Sequence, residues 1–252
     1  MSDTAGHAKL LQLLRARRAE FGRDLLDVPS GGGPVVDGAR AAGYDVVEVD
    51  LFPRQGIRGV CADACARLPF ADASFDVVLS MEGIEHFEHQ AGFVRECARV
   101  LRPGGWLLLT TPNVLTLSAR LTHVFTGHKV LQQGFVNEVA TLRHRTGKRL
   151  YHGHAFLIDA FRLRYLMRIA GLEWCELHGT TLSRGSLALA PTLPLVWGAT
   201  ALATRLARRR LASAGRARPG PALERELAGL ACSPALLLRK KLIVLARKPA
   251  LG

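Results

Sequence analysis

Two carboxylates and an imidazole lie close together in the stretch MEGIEHFEH, residues 81–89. Glu82, Glu85 and His86 are spaced i, i+3 and i+4, so a helical turn would present them on one face. Such a group could bind a divalent cation such as Mg²⁺ or Mn²⁺, because both ions accept carboxylate ligands and Mn²⁺ also accepts imidazole. His86 could instead act without metal as a base or a substrate contact, or the group could only cap a helix and line a pocket.

A second candidate site is the glycine-rich turn in LLDVPSGGGPVV, residues 25–36. A turn of this kind between a strand and a helix lets a ligand approach the backbone, and a helix N-terminus favours negative groups. Gly31 and Gly33 match the first two glycines of the dinucleotide-binding pattern GxGxxG, but Val36 takes the third position and Pro34 opens the helix. The pattern therefore allows a nucleotide-binding loop or a tight turn without a ligand.

Two acidic residues favour the nucleotide interpretation. Asp50 ends the stretch YDVVEVD, where a carboxylate can accept hydrogen bonds from both hydroxyls of a ribose. Asp63 ends GIRGVCAD, where a carboxylate could accept one from the exocyclic amine of an adenine. Because the carboxyl ends of parallel strands share one edge of a sheet, we expect both residues to face the same ligand as the glycine turn.

The elements that must position these residues alternate between strands and helices. The apolar pattern predicts strands at 24–28, 44–50, 56–63, 74–80, 106–112, 172–179 and 241–248, helices at 7–22, 34–42, 93–101, 113–127 and 156–170, and a turn at RPGG, residues 102–105. Nearly continuous apolar strands indicate a mostly parallel sheet covered on both faces, so we predict an α/β, Rossmann-like doubly wound fold. We divide the chain into a core at 1–180, a helical basic insertion at 181–240 and a last strand with its tail at 241–252.

Charge is distributed unevenly along the 252 residues, whose formal net charge is +13. Residues 1–100 contain 11 basic and 15 acidic residues, whereas the rest contain 23 basic and 6 acidic ones. This asymmetry predicts a surface that meets anions, unless it only reflects an arginine-rich codon bias. The five cysteines include no CxxC pair and the N-terminus has no apolar signal segment, so we expect a cytoplasmic protein with reduced thiols.

The stretches LLDVPSGGG, VVEVDLFP, CADACARLPFADASFDVVLSMEGIEHF and ARVLRPGGWLLLTTPN together resemble the class I S-adenosylmethionine-dependent methyltransferases of the type 11 and 23-like groups. The resemblance implies a seven-stranded sheet with an antiparallel last strand, and S-adenosylmethionine as cofactor. The usual loop reads Asp-x-Gly-x-Gly-x-Gly, and Pro29 replaces its first glycine. The implied cofactor contacts are Asp27, Pro29 and Gly31 to Gly33 at the methionine part, Asp50 and Leu51 at the ribose, Asp63 and Ala64 at the adenine, and Met81 and Glu82 at the reactive end.

Glu-x-x-Glu-His after the fourth strand also resembles two metal-assisted groups. These are the polyprenyl-catechol O-methyltransferases of ubiquinone synthesis and the small-RNA 3′-end 2′-O-methyltransferases, and both have a later histidine that His154 in HGHAFLIDAF matches. The implied metal ligands or catalytic residues are Glu82, Glu85, His86 and His154. The stretches DVPSG, DLFP, EGIEH and TTPNVLTLSARLTHVFTGH more closely resemble bacterial methyltransferases encoded with cell-envelope polysaccharide genes, which implies a glycan- or lipid-linked acceptor.

The insertion contains the apolar stretch LALAPTLPLVWGATALATRL at 187–206, followed by a basic stretch that extends to residue 218. Pro191 and Pro194 interrupt the apolar stretch, so it does not predict a membrane-spanning helix. It predicts a helix from about residue 194 that lies in a membrane interface, with Trp197 at headgroup level and arginines on phosphates. The alternative is a helical hairpin that covers the sheet or makes a dimer contact. Nucleic acid is a weaker third partner, because no basic motif with interleaved aromatics is present.

We therefore expect an S-adenosylmethionine-dependent methyltransferase that O-methylates a small glycan- or lipid-linked acceptor, located in the cytoplasm or peripherally on the inner face of the membrane. One alternative is a metal-dependent O-methyltransferase of a catechol or quinone precursor. The other is a non-catalytic methyltransferase-like protein that docks on the membrane as a partner in an assembly. The sequence does not determine the acceptor or the oligomeric state.

Overall fold

The computed structural model describes residues 4–52, 59–127, 142–145, 149–217 and 219–250. The described strands are β1 Asp24–Asp27, β2 Asp45–Asp50, β3 Gly59–Cys61, β4 Phe75–Met81, β5 Leu101–Pro112, β6 Leu142–Arg145, β7 Arg149–His152, β8 Glu173–Gly179 and β9 Lys241–Arg247. The described α-helices are α1 Thr4–Ala16, α2 Arg18–Phe21, α3 Pro34–Ala41, α4 Gln90–Val100, α5 Leu117–Thr126, α6 Ala160–Ile169, α7 Arg184–Ala188, α8 Leu193–Ser213, α9 Pro221–Ala231 and α10 Pro234–Leu238. Two 3₁₀ turns lie at Ile84–His86 and Ala190–Thr192.

Seven strands form one sheet in the order β3-β2-β1-β4-β5-β9-β8, and β6 and β7 form a separate antiparallel pair. The pairs β1–β2, β1–β4, β2–β3 and β4–β5 are parallel, whereas β9 runs antiparallel to both of its neighbours. This arrangement confirms the predicted Rossmann-like doubly wound sheet with an antiparallel last strand. The parallel ends of β1, β2 and β4 therefore meet at one edge.

Both faces of the sheet are covered, as the apolar strands indicate. Alternate strand residues point to two separate cores: Leu25 and Val46 join the apolar side chains of α1 and α3, whereas Leu26 and Val47 join those of α4 and α6. The insertion contributes to the second core through Leu230 and Leu236. The bidentate ion pair of the buried Arg164 guanidinium with Glu226, at 2.6 and 2.7 Å, also ties α6 to α9.

The RPGG segment at 102–105 is not the turn that the sequence predicts, because β5 begins at Leu101 and runs through it. The register between β4 and β5 shifts at this point: Leu101 is opposite Phe75, and the next pair is Val77 with Trp106. A Cβ at position 105 would lie 2.9 Å from the carbonyl oxygen of Asp76, so only glycine fits against the neighbouring strand. The glycine and proline signal therefore marks a bulge inside the strand.

Other element boundaries also differ from the predicted ones. The predicted helix at 7–22 is divided between α1 and α2, and α6 begins only after Asp159, whose carboxylate accepts hydrogen bonds from two backbone N–H groups of the first turn. The third strand is limited to Gly59–Cys61, and the start of its predicted range lies outside the described residues. Among the described helices, none combines the length and apolarity that a membrane-spanning segment requires.

Candidate active site

The candidate site lies at the carboxyl edge of the sheet, where the ends of β1, β2 and β4 meet. Asp27 and Asp50 are the last residues of β1 and β2, and Met81 is the last residue of β4. Because β9 runs antiparallel, it begins at this same edge, and Lys241 is paired with Pro112 at the end of β5. The edge thus brings together acidic residues predicted from the sequence and a lysine from the far end of the chain.

Hydrogen bonds behind the glycine turn hold it in one position. The backbone N–H of Ser30 donates to Val49 at 2.7 Å, and the Ser30 hydroxyl donates to the buried carboxylate of Glu48 at 2.7 Å. Arg40 from α3 donates to the other oxygen of Glu48 at 2.8 Å, and the N–H of Gly32 donates to the Ser30 hydroxyl at 3.2 Å. No sequence pattern predicts this support, since a serine and a glutamate eighteen positions apart form no motif.

The front of the glycine turn is open. A Cβ placed on Gly31 or Gly33 would have no heavy atom of the described chain within 4 Å. Gly33 also adopts φ +105, which disfavours any other residue at this helix start. The backbone is therefore accessible to a ligand immediately before α3.

Asp27 is completely buried beside this turn. Neither of its carboxylate oxygens has a hydrogen-bond partner among the residues that the structure describes. Burial, together with the nearby carboxylates of Glu48 and Asp50, raises the pKa of Asp27 to about 7. A buried carboxyl group that no described residue hydrogen-bonds, next to an open glycine turn, fits a ligand that supplies a cationic or hydrogen-bond-donating group.

The ligand-free protein is expected to lose stability as the pH rises from the ordinary pKa of aspartate towards 7. The folded chain keeps the Asp27 proton in this window and the unfolded chain does not, so the free energy of unfolding falls with rising pH. Between pH 5 and pH 8 the wild type should lose roughly 2.5 kcal/mol more than Asp27→Asn. Urea denaturation of both proteins at the two pH values measures this difference, and an equal pH dependence would contradict a raised pKa at Asp27.

Pro29 connects the glycine turn to the segment after β4. Its peptide bond with Val28 is cis, and its ring lies directly against Gly83. A Cβ on Gly83 would be 2.4 Å from Cδ of Pro29 and 2.6 Å from Cγ. Pro29 therefore takes the position of the first glycine of the usual loop and packs between the glycine turn and the segment after β4.

Gly83→Ala is expected to lower the free energy of unfolding by about 1–3 kcal/mol, because the new methyl group overpacks the contact with Pro29. Gly92→Ala is the matched control: Gly92 lies inside α4, and its nearest neighbour beyond the helix backbone would be 3.8 Å away. Alanine is the better helix former, so this control should be neutral or slightly stabilising. Urea denaturation compares the two variants, and equal stabilities would rule out a tight contact at Gly83.

Glu85, His86 and His154 form a cluster in which one potential ligand atom from each residue lies within 4.8 Å of the others. The ring centroids of the two histidines are 5.0 Å apart. Backbone contacts bring the distant histidine here, because the N–H of Phe156 donates to the carbonyl of Glu85 at 3.0 Å. The side chain of Gln90 donates to the carbonyls of Ile84 and Phe156 at 2.9 and 2.5 Å, which ties the two segments together.

Within this cluster the Glu85 carboxyl is fully buried. Thr111 donates to one of its oxygens at 3.2 Å, and the other oxygen has no hydrogen-bond partner among the described residues. Burial and the negative charge of Glu82 raise the pKa of Glu85 above the ordinary value of a glutamate. The carboxyl group can therefore exchange a proton much nearer neutral pH than an exposed glutamate.

Glu82 does not share a helical face with the other two residues, as its spacing suggested. The turn is a single 3₁₀ turn that begins at Ile84, and Glu82 precedes it with φ 49. Its carboxylate forms an ion pair with Lys241 at 2.8 Å and accepts a hydrogen bond from Thr110 at 3.1 Å. Of the four residues that we predicted as ligands, the structure groups three and places Glu82 with the lysine instead.

The residues predicted at the adenosine part lie at two strand ends. The carboxylate of Asp50 accepts a hydrogen bond from the N–H of Phe52 at 2.8 Å, and Leu51 between them is half-buried. Asp63 is exposed and accepts one from the N–H of Cys65 at 2.8 Å, whereas Ala64 is buried. Each acid thus accepts a backbone hydrogen bond in the turn that follows its strand.

Comparisons with known proteins identify the family of the chain. Residues 26–109 match the family model described as "Methyltransferase domain". A protein of Mycolicibacterium smegmatis named as a probable S-adenosylmethionine-dependent methyltransferase is 42% identical over 44% of this chain and 46% of its own length. The ubiquinone biosynthesis O-methyltransferase of Thiobacillus denitrificans is 30% identical over 68% of this chain and 73% of its own length.

The fold is also similar to that of a solved enzyme. The Burkholderia thailandensis 1,6-didemethyltoxoflavin-N1-methyltransferase, solved with its substrate and S-adenosylhomocysteine, superposes with a TM-score of 0.52 at 16% identity, over 98% of this chain and 80% of that one. At this identity the likeness concerns the fold. The alignment with the M. smegmatis protein spans less than half of that relative's length.

Proposed function

The chain belongs to the class I S-adenosylmethionine-dependent methyltransferases, and we propose that it methylates an oxygen of a small acceptor linked to a glycan or a lipid. The choice of oxygen as the methylated atom rests on the cluster of Glu85, His86 and His154, which follows β4 at the carboxyl edge of the sheet. An alcohol or phenol must lose a proton when it attacks a methyl group, and this cluster offers groups that accept one.

The cofactor supplies a methyl group on a sulfonium, which is already activated for transfer to a nucleophile. The chain's contribution at this end is binding and orientation. Asp27 and the open turn at Gly31 and Gly33 would hold the methionine part, with the carboxylate of Asp27 accepting from the amino group. Asp50 would hold the ribose through its carboxylate, and Asp63 with Ala64 would lie beside the adenine.

We assign proton removal to the cluster of Glu85, His86 and His154, of which Glu85 is buried and the two histidines are half-buried. Glu85 has a raised pKa and an oxygen without a hydrogen-bond partner in the described chain, so it can take a proton when a bound acceptor reaches it directly or through His86. The ion pair of Glu82 with Lys241 keeps a second negative charge close by, although Lys241 partly offsets its effect on Glu85. Glu82 is then a positioning residue for the base, not the base itself.

The acceptor class rests on two observations. The stretches DVPSG, DLFP, EGIEH and TTPNVLTLSARLTHVFTGH resemble methyltransferases encoded with cell-envelope polysaccharide genes. The insertion at 181–240 also exposes large apolar side chains on a helix of twenty-one residues, which suits an acceptor carried by a lipid.

The test is methyl transfer from radiolabelled S-adenosylmethionine to three probes: a polyprenyl-phosphate-linked sugar, a free oligosaccharide of the same composition and a catechol. We expect label in one of the sugar probes, in a linkage with the stability of an ether or ester. Calorimetry with S-adenosylmethionine in the same preparation shows whether the protein binds its cofactor. A protein that binds the cofactor but labels neither sugar probe would overturn the assignment to a glycan- or lipid-linked oxygen.

A second candidate function is a metal-dependent O-methyltransferase of a catechol or quinone precursor. The grouping of one carboxylate and two imidazoles favours it, because this donor set can hold a divalent cation and suits Mn²⁺ better than Mg²⁺. If it holds, chelation should abolish methylation of the catechol probe and added Mn²⁺ should restore it. Metal analysis of the purified protein gives an independent readout, with less metal expected in His154→Ala. Full methylation of the catechol probe after chelation would exclude a metal-dependent O-methyltransferase.

A further inference from the structure

Helix α8 stands out because none of its described residues is buried. It packs against α9 and the 3₁₀ turn at Ala190–Thr192, and α9 in turn contacts α10. One side of α8 is therefore attached to the protein through the hairpin, and the opposite side faces outward.

The outward side of α8 is an apolar stripe, defined here as Leu195, Leu202 and Leu206. Their spacings of seven and four residues place them on one side of the helix. They are 74%, 58% and 43% exposed, whereas Val196, Thr200 and Thr204 on the other side are half-buried. Trp197 lies seven residues before Thr204 and therefore on the same side of the helix as Thr204, so it is not part of the stripe, although its side chain is 48% exposed.

Arginines continue the apolar stripe at the C-terminal end of α8. The guanidinium groups of Arg205, Arg209 and Arg210 have no hydrogen bond or ion pair with any residue in the described ranges. Arg208 differs, because it pairs with Glu224 on α9 and so belongs to the hairpin. Since α8 contains no acidic residue, its outward side combines leucines with unopposed positive charge.

We propose that α8 docks on an anionic lipid surface, lying parallel to the membrane with the leucine stripe inserted and the three arginines on lipid phosphates. Helix α8 has 21 residues and is therefore about 31 Å long. None of the described helices can span a membrane, so the proposal places α8 flat on the lipid surface. An amphipathic helix with leucines on one side and arginines beside them binds such surfaces through buried apolar area and electrostatic attraction. Helix α5 adds three exposed apolar side chains to those of α8, namely Leu121, Val124 and Phe125. It packs against α7, the helix that precedes α8 in the chain.

This surface is independent of the methyl acceptor. A methyltransferase with a water-soluble acceptor could dock in the same way, and one with a lipid-linked acceptor could bind it without α8. Failure of membrane binding and failure of O-methylation are therefore separate results.

The experiment is flotation of the full chain with vesicles of phosphatidylcholine alone or with about 30 mol % phosphatidylglycerol. We expect the protein to float with the anionic vesicles, and less so as salt is raised because salt screens the arginines. Leu202→Glu/Leu206→Glu should abolish flotation, and Arg209→Glu/Arg210→Glu should reduce it by roughly tenfold or more. Calorimetry with S-adenosylmethionine checks that both variants still bind cofactor and are folded.

The matched control is Arg15→Glu/Arg23→Glu, which changes the net charge equally. Arg15 lies on α1, which packs on the other face of the sheet, and Arg23 precedes β1. This control should float like the wild type. Wild-type protein that stays with the unbound fraction would overturn the proposal, as would flotation that the leucine variant does not change. A concentration-dependent dimer that the leucine variant dissociates, without flotation, would assign the stripe to a second copy.

Discussion

Glu85→Gln is expected to lower the turnover number by about 100- to 10,000-fold, because general base catalysis typically contributes a rate enhancement of this size. The substitution keeps the shape of the side chain and the hydrogen bond with Thr111 but removes the group that accepts a proton. Affinity for S-adenosylmethionine should stay within about threefold, because we assign cofactor binding to Asp27 and Asp50 and not to Glu85. His86→Asn should have an effect of similar size if His86 passes the proton.

The pH profile gives this prediction a second readout. Burial raises the pKa of Glu85, so wild-type turnover should fall on the acidic side at a pH above the ordinary pKa of a glutamate. The residual activity of Glu85→Gln should lack this fall. Glu88→Gln and His89→Asn are matched controls from the same stretch, since both residues are exposed, and they should be as active as the wild type. A Glu85→Gln enzyme with full activity and an unchanged profile would remove Glu85 from the mechanism.

Asp50→Ala is expected to weaken S-adenosylmethionine binding by about 100-fold or more. A carboxylate at the end of β2 can form charge-assisted hydrogen bonds with both ribose hydroxyls, and each such bond contributes about 1.5–3 kcal/mol. Asp50→Asn separates the binding of the ribose from the support of the turn after β2, because an amide oxygen can still accept the hydrogen bond from the N–H of Phe52. Its affinity should lie between those of the wild type and the alanine variant. Isothermal titration calorimetry measures all three proteins.

The control for this prediction lies on the same strand. Asp45 begins β2 at the opposite edge of the sheet and is exposed, so Asp45→Ala should bind S-adenosylmethionine with wild-type affinity. Equal affinities for Asp50→Ala and the wild type would mean that the cofactor does not meet the end of β2. Weakened binding by both variants would point to general destabilisation, which a thermal melt without ligand would detect.

Some site residues could be predicted because their signal is local. Asp27 and Asp50 each end an apolar stretch, and parallel strands must bring such ends to one edge whatever the rest of the chain does. The antiparallel last strand came from the family resemblance, and the observed pairing confirms it. The glycine turn was equally visible, but the Ser30, Glu48 and Arg40 contacts behind it were not. Those residues meet only because β1, β2 and α3 pack against one another.

Other features needed contacts between distant parts of the chain. RPGG predicts a turn by composition, yet pairing with β4 and β9 makes it a bulge within β5. The spacing of Glu82, Glu85 and His86 predicts one helical face, but the 3₁₀ turn begins only at Ile84 and Glu82 forms an ion pair with Lys241. Nothing in the stretch 81–89 indicates this lysine, because it comes from a strand that begins 159 positions later.

By itself, the sequence determined the fold class, the sheet edge that carries the site and the acidic residues expected to face the cofactor. Those properties follow from apolar periodicity and strand ends, which depend on neighbours close in the chain. Only the tertiary structure decided that Asp27 and Glu85 are buried with carboxylate oxygens that no described residue hydrogen-bonds, that His154 joins Glu85 and His86, and that α8 turns its leucines outward. Burial, raised pKa and proximity arise from packing between segments far apart in sequence, and no local pattern encodes them.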